Sequence, residues 1–197
     1  HVPTSVTMTP SHPTDPERLS AAVDEQRLLD TAIRLVDIPS PTCDAAAVAD
    51  GLAELLAAEG FEVERPDAGW PEAPAVVTRL HGAGEGRTLQ FDGHLDTVHL
   101  PFVPARVEDG HLRGLGASDM KGGIAACVEA MRALRDTDAL SAGSVLLTTH
   151  DHHEAPWGDG RQVHGLIADG FTGDAVLLPS IWQIRCPWPV AAWRSLK

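Results

Sequence analysis

Two short segments carry residue types that could bind a cation and put it to use. Phe91-Asp92-Gly93-His94-Leu95-Asp96-Thr97-Val98 offers His-x-Asp on what reads as a buried strand, and Gly116-Ala117-Ser118-Asp119-Met120-Lys121-Gly122-Gly123 puts an aspartate at the mouth of a helix. An imidazole nitrogen and a carboxylate that converge make a cation site, and a cation so held can activate water for hydrolysis. Successive side chains on a strand alternate faces, so His94 and Asp96 share a side, one pleat apart. His94 can present one ring nitrogen to a metal. Its other N–H then wants an acceptor, and Asp96 would fix the tautomer and raise the ligand's basicity. Asp119 follows Ser118, a good N-cap, ahead of Met120, Ile124, Cys127, Val128 and Met131 on one stripe. An aspartate using both oxygens can bridge two cations about 3.5–4 Å apart. Taken singly, each motif has a plainer reading: a hydrogen-bonded structural pair on a strand, and an acid placed for the helix dipole.

A third segment, Thr149-His150-Asp151-His152-His153-Glu154-Ala155-Pro156-Trp157-Gly158, follows a short apolar run. In an open α/β sheet, ligands bind beyond the carboxyl ends of the strands, where this segment falls. Neutral His153 could act as a base near pH 7, since an unperturbed imidazole has a pKa of about 6.5. Beside a dication it could instead be a ligand. Glu154 could be the base, with His153 or Asp151 on the metal, or the run could be no more than a polar loop.

In this order, with Gly114-x-Gly116 and Lys121-Gly122-Gly123 around the second segment, the chain resembles the M20 family of zinc metallopeptidases, a group of deacetylases, desuccinylases and carboxypeptidases. The resemblance covers residues 17–180. It implies that His94 binds one metal, that Asp119 bridges two, and that the Asp119–Met120 peptide is cis. The family places two adjacent acids in the third segment, first the base and then a ligand. That register falls on His153 and Glu154, so an imidazole stands where a carboxylate is usual. A further acidic ligand is expected after the strand at 175–178, where Pro179-Ser180 stands. Ser180 is a poor zinc ligand, and Asp174 begins that strand rather than ending it.

The expected metal ligands are therefore His94, Asp119 and Glu154. Asp96 is the orienter, and His153 or Glu154 the proton carrier. The implied cofactor is one or two zinc ions, with cobalt as a substitute. The implied reaction is hydrolysis of the amide in a small N-acyl amino acid or peptide. The resemblance also implies a lid domain, a late metal-binding histidine and a homodimer formed through that lid, all beyond this sequence. On this reading the 197-residue chain is a partial catalytic domain with little turnover of its own. Two rival readings are a non-catalytic metal-binding remnant and a metal-independent binding module.

The elements that must position these residues follow from patterning. A helix is expected over 17–37, stopped by Pro39-Ser40-Pro41, and a second after Asp44 with Val48, Leu52, Leu55 and Leu56 on its stripe and Gly60 as its C-cap. Strands are expected at 61–65, 75–81, 88–91, 145–149 and 175–178. Asp109-Gly110 signals a hairpin between 106–108 and 111–113. Helices are expected from Ser118 to about Arg135 and over 161–169, with His164 on the surface. Alternating strands and helices predict an α/β fold: a three-layer α/β/α, zinc-peptidase-like catalytic domain with a mostly parallel sheet. It is expected to be incomplete, with an exposed edge at its last strand. Residues 1–16, rich in proline, read as a disordered lead, and 181–197 as an atypical tail.

An apolar share of 43% is enough for a packed core. The net charge of −13 argues against a nucleic-acid partner, which would need a basic face. Cys43, Cys127 and Cys186 show no Cys-x-x-Cys spacing and read as thiols of a reducing compartment, the cytoplasm, with Cys127 as core filler. No stretch is long enough to span a membrane, and no apolar run of a signal peptide is seen at the N-terminus. The chain starts at His1 rather than Met, which reads as a fragment or a trimmed product.

Overall fold

A computed structural model describes residues 16–180. The expected lead lies outside the described residues except for Pro16, which opens the first helix, and the atypical tail lies wholly outside them. Five helices and seven strands are described. The helices are α1 (Pro16–Ala21), α2 (Glu25–Val36), α3 (Ala46–Ala58), α4 (Gly122–Asp136) and α5 (Arg161–Ala168). The strands are β1 (Val63–Glu64), β2 (Val76–His81), β3 (Thr88–His94), β4 (Arg106–Glu108), β5 (His111–Arg113), β6 (Ser144–His150) and β7 (Ala175–Leu177).

The main sheet has the order β1-β2-β6-β3-β7. Strands β6, β3 and β7 pair in parallel, while β2 is antiparallel to both of its neighbours. The sheet is therefore mixed in its pairing, with β2 alone running against the rest. Strand β6 lies at its centre, and all seven of its residues are buried. That burial explains the uninterrupted Val145-Leu146-Leu147 run, because a strand covered on both faces has no reason to alternate.

Two cores cover the two faces. The larger gathers Val48, Leu52 and Leu56 of α3, Ile124, Val128 and Met131 of α4, and Val76, Phe91, Val145 and Leu147 of the sheet. The smaller gathers Val77 and Leu146 with Leu166 of α5. Helix, sheet and helix thus make the three expected layers. Cys127 sits in the larger core, as its place on the apolar stripe implied.

The single helix expected over 17–37 is two helices. The Asp24 side chain accepts the Arg27 amide and caps α2, while Glu129 on α4 accepts the Asp24 amide at 2.9 Å. An N-cap needs an extended backbone, here φ −99° and ψ 106°, so the helix cannot run through it. Glu129 is the hub of a buried charge network. It takes Arg27 and Arg132, and Arg132 also pairs with Glu59, which ties α2 and the end of α3 to α4. Helix α3 ends as expected, with Gly60 at φ +83° just past its cap.

The hairpin β4–β5 turns on Asp109-Gly110, both with positive φ. Strand β7 has no partner on its outer side among the described residues, and Val176, Leu177 and Leu178 are exposed there. After β7 the chain passes close over the start of α4. A Cβ on Gly123 would collide with the Pro179 carbonyl oxygen, so only glycine fits.

Candidate metal centre

His94 is the last residue of β3 and pairs in register with His150, the last residue of β6. Parallel strands deliver both to the same end of the sheet, where open α/β sheets build their sites. Asp119 comes from a wide turn, Ala117–Lys121, that precedes α4. Ser118 was expected to cap that helix, and it does not. Asp119 and Met120 have non-helical backbone angles, and α4 begins only at Gly122. The turn is held from three sides instead. The Asp119–Met120 peptide is cis, as the resemblance implied. Met120 is buried with its sulfur 3.4 Å from the His94 amide. Lys121, also buried, donates to the Ile38 carbonyl at 2.8 Å, and burial lowers its ammonium to about 8. Gly116 enters the turn at φ +78°, where a Cβ would lie 2.6 Å from Thr97 Cγ2.

The three expected ligands converge. One donor atom from each of His94, Asp119 and Glu154 lies within 4.8 Å of the other two. His94 Nε2 is 3.2 Å from Asp119 Oδ1. His94 is buried, Asp119 and Glu154 half-buried, so the group opens towards solvent. One imidazole and two carboxylates make a donor set that suits zinc, and cobalt accepts the same donors.

Asp96 is fully buried and does more than was expected of it. Its carbonyl oxygen is the nearer acceptor for His94 Nδ1, at 2.9 Å, with the carboxylate Oδ1 at 3.4 Å. Either contact leaves Nε2 free to face Asp119. The other carboxylate oxygen, Oδ2, accepts the amides of both His153 and Glu154, at 3.1 and 3.0 Å. Asp96 therefore fixes the His94 ring and the loop that carries Glu154. Burial works against the charged His94 ring, but Asp96 beside it holds its pKa above the usual value. Asp96 itself is buried, yet His94 and the Glu154 amide keep its carboxyl below the usual range.

His153 stacks flat on His94, with centroids 4.1 Å apart and planes 8° from parallel. Burial, then His94 and His150, push its pKa down. Burial, partly offset by His94, pushes Glu154 up.

Asp151 is not in the group, and its carboxylate is spent elsewhere. It accepts the amides of Cys43 at 2.9 Å and Ala45 at 3.2 Å, and so anchors the approach to α3. Asp174 accepts the Thr88 amide at 2.7 Å at the opposite end of β3. His164 is exposed on α5. Motif reading passed over the buried pair Asp92 and His150 and the stack of His99 on Trp157. Polar residues at alternate positions before His94, Gln90 and Asp92, were the available signal for the first.

Comparison with known proteins agrees with this geometry. The sequence profile of "Peptidase family M20/M25/M40" matches residues 90–188. A succinyl-diaminopimelate desuccinylase of Halorhodospira halophila is 38% identical over 162 residues, covering 76% of this chain and 41% of that protein. One from Delftia acidovorans is 40% identical over 151 residues, covering 70% and 38%. The chain thus spans about two fifths of the length of these curated relatives. Among solved structures, a Staphylococcus aureus tripeptidase superposes with a TM-score of 0.66 at 25% identity, covering 80% of this chain and 43% of that one.

Proposed function

This chain belongs to peptidase family M20/M25/M40, and from that premise we propose that it serves metal-dependent hydrolysis of an amide bond joining an acyl or peptidyl group to an amino acid. The observation that carries the proposal is the convergence of His94, Asp119 and Glu154 within 4.8 Å at the carboxyl ends of parallel strands. These three residues would hold zinc or cobalt, as one ion or two. A dication there supplies Lewis acidity towards carbonyl and water.

The remaining work falls to the chain's own groups. Asp96 holds His94 with Nε2 forward. His153 is our choice of proton carrier, because Glu154 already contributes one of the three converging donors. The imidazole can take a proton from the attacking water and return it to the leaving amine, a role typically worth about 10²–10⁴ in rate. The desuccinylase names of both curated relatives support an N-acyl amino acid as substrate.

Among the described residues, no helix is long and apolar enough to cross a membrane. Cys43 and Cys127 are free thiols, which supports a reducing compartment such as the cytoplasm.

The test is release of free amino acid from N-acetyl, N-succinyl and dipeptide substrates with zinc or cobalt supplied. Low turnover that needs the metal and vanishes in Glu154→Ala is expected. Zinc binding with no metal-dependent turnover on any substrate would favour the metal-binding remnant instead.

A further inference from the structure

The loop after β6 carries both His153 and Glu154, and its backbone donors end on side chains. The Asp151 amide donates to Gln162 Oε1 at 2.6 Å, and the His152 amide donates to the Asp151 carboxylate. The His153 and Glu154 amides both go to Asp96 Oδ2. Consecutive amides from Asp151 to Glu154 are thus taken up by Asp96, Asp151 and Gln162, all three of them buried.

Gln162 lies on α5 and is 0% exposed. Its Nε2 donates to the Ala73 carbonyl at 2.8 Å and to the Asp67 carbonyl at 3.3 Å. Carbonyls only accept and a backbone N–H only donates, so these partners fix which end of the side-chain amide faces the loop. The nitrogen end ties α5 to the segment before β2, and Leu166 anchors the same helix in the smaller core. The oxygen end serves the loop.

Asp96 grips that loop at its far end, through two adjacent amides on one oxygen atom. A chain held at one point can still pivot about it. A second hold at Asp151, three residues back and so up to about 10 Å away along the chain, removes the pivot. We propose that Gln162 is a positioning residue for Glu154 and His153, setting their bearing on the metal centre through the Asp151 amide. The inference rests on Glu154 as a metal ligand, and its test reads the two apart.

Cobalt(II) accepts the same donors as zinc, and its visible absorption follows their geometry. The full chain, stripped with a chelator, is titrated with cobalt(II) at a temperature where every variant is folded. Gln162→Met fills the space without either hydrogen-bonding end. It should weaken cobalt about tenfold, the low end for loss of an outer partner, and shift the absorption band. Leu166→Val loosens the packing of the same helix and should keep the wild-type Kd and band. A wild-type Kd and band in Gln162→Met would overturn the proposal. An equal loss in Leu166→Val would also overturn it, leaving Gln162 as general support for α5. Gln162→Asn, whose oxygen stops about 1.5 Å short of the Asp151 amide, carries the same test if Gln162→Met does not fold. Glu154→Ala should weaken cobalt as well. If it does not, the ligand assignment falls and the proposal with it, whereas a loss in Glu154→Ala without one in Gln162→Met sinks the proposal alone.

Discussion

The rings of His94 and His153 lie face to face, 4.1 Å apart and 8° from parallel. The first ends β3, and the second lies in the loop after β6. The stack therefore ties a proposed metal ligand to the proposed proton carrier through ring contact alone, with no hydrogen bond between them.

That separation of roles can be tested at His153. Replacement by Phe keeps an aromatic face on His94 but removes the proton site. Its unfolding free energy in urea should stay within about 0.5 kcal/mol of wild type, while metal-dependent turnover falls by about 10²–10⁴. Replacement by Ala should cost a further 0.5–1.5 kcal/mol or so for the lost ring contact. Turnover retained by His153→Phe would assign the proton to Glu154.

Zinc should stabilise the fold through the His94 group. At 100 times its Kd, one bound ion contributes about 2.7 kcal/mol, which is roughly 5–10 °C in Tm for a chain of this size. His94→Ala and Glu154→Ala should shrink the zinc-induced shift equally, because each removes one donor of the same group. Asp96→Asn should weaken zinc binding by about 10–100-fold without removing a ligand. A zinc titration in which Asp96→Asn matches wild type would place that carboxylate outside the site.

The charge network on α4 predicts an acid limit to stability. Burial disfavours the Glu129 carboxylate, but Arg27, the Asp24 amide and Arg132 more than compensate and hold its pKa below the usual value. Its contribution is therefore complete above the unfolded value of about 4.3 and is lost as pH falls through the lower folded value. Glu129→Gln should destabilise the chain at pH 7 by about 3 kcal/mol, near the low end for a broken buried pair because Glu59 still holds Arg132. The gap between wild type and variant in urea midpoint should stay constant from pH 7 to about 4.5 and narrow below that. A gap that does not change down to pH 3 would remove Glu129 from the acid response.

Gly123→Ala should displace the segment after β7. The added methyl would run into the Pro179 carbonyl, and backbone cannot yield as a side-chain end can. Overpacking of this kind costs about 1–3 kcal/mol. Loss of amide-exchange protection in β7, with α3 unchanged, would locate the damage. A wild-type melt would show that the two segments part freely.

Much of this was legible from local patterns. Val48, Leu52, Leu55 and Leu56 announced α3, and Asp109-Gly110 announced the β4–β5 turn, because each signal sits within a few residues of its cause. The trio His94, Asp119 and Glu154 was legible through the order of its motifs. What escaped was set by distant partners. Ser118 looks like a helix cap in sequence, but Met120 packed against β3 pulls its turn out of helical shape. Asp24 breaks the first helix because Glu129, 105 residues away, takes its amide. Asp151, open to a metal role by type, is drawn off by the amides of Cys43 and Ala45. Asp92 and His150 acquire meaning only once β3 and β6 lie side by side.

The grip of Asp96 on the loop after β6 runs through the amides of residues 153 and 154. Every amino acid except proline offers that amide. The clasp is therefore blind to side-chain identity, and position 153 can carry an acid or an imidazole while the loop stays in place. Chemistry at that position is free to drift over evolutionary time as long as no proline arrives, and a saturation library at 153 should show tolerance of fold broken at that one residue type.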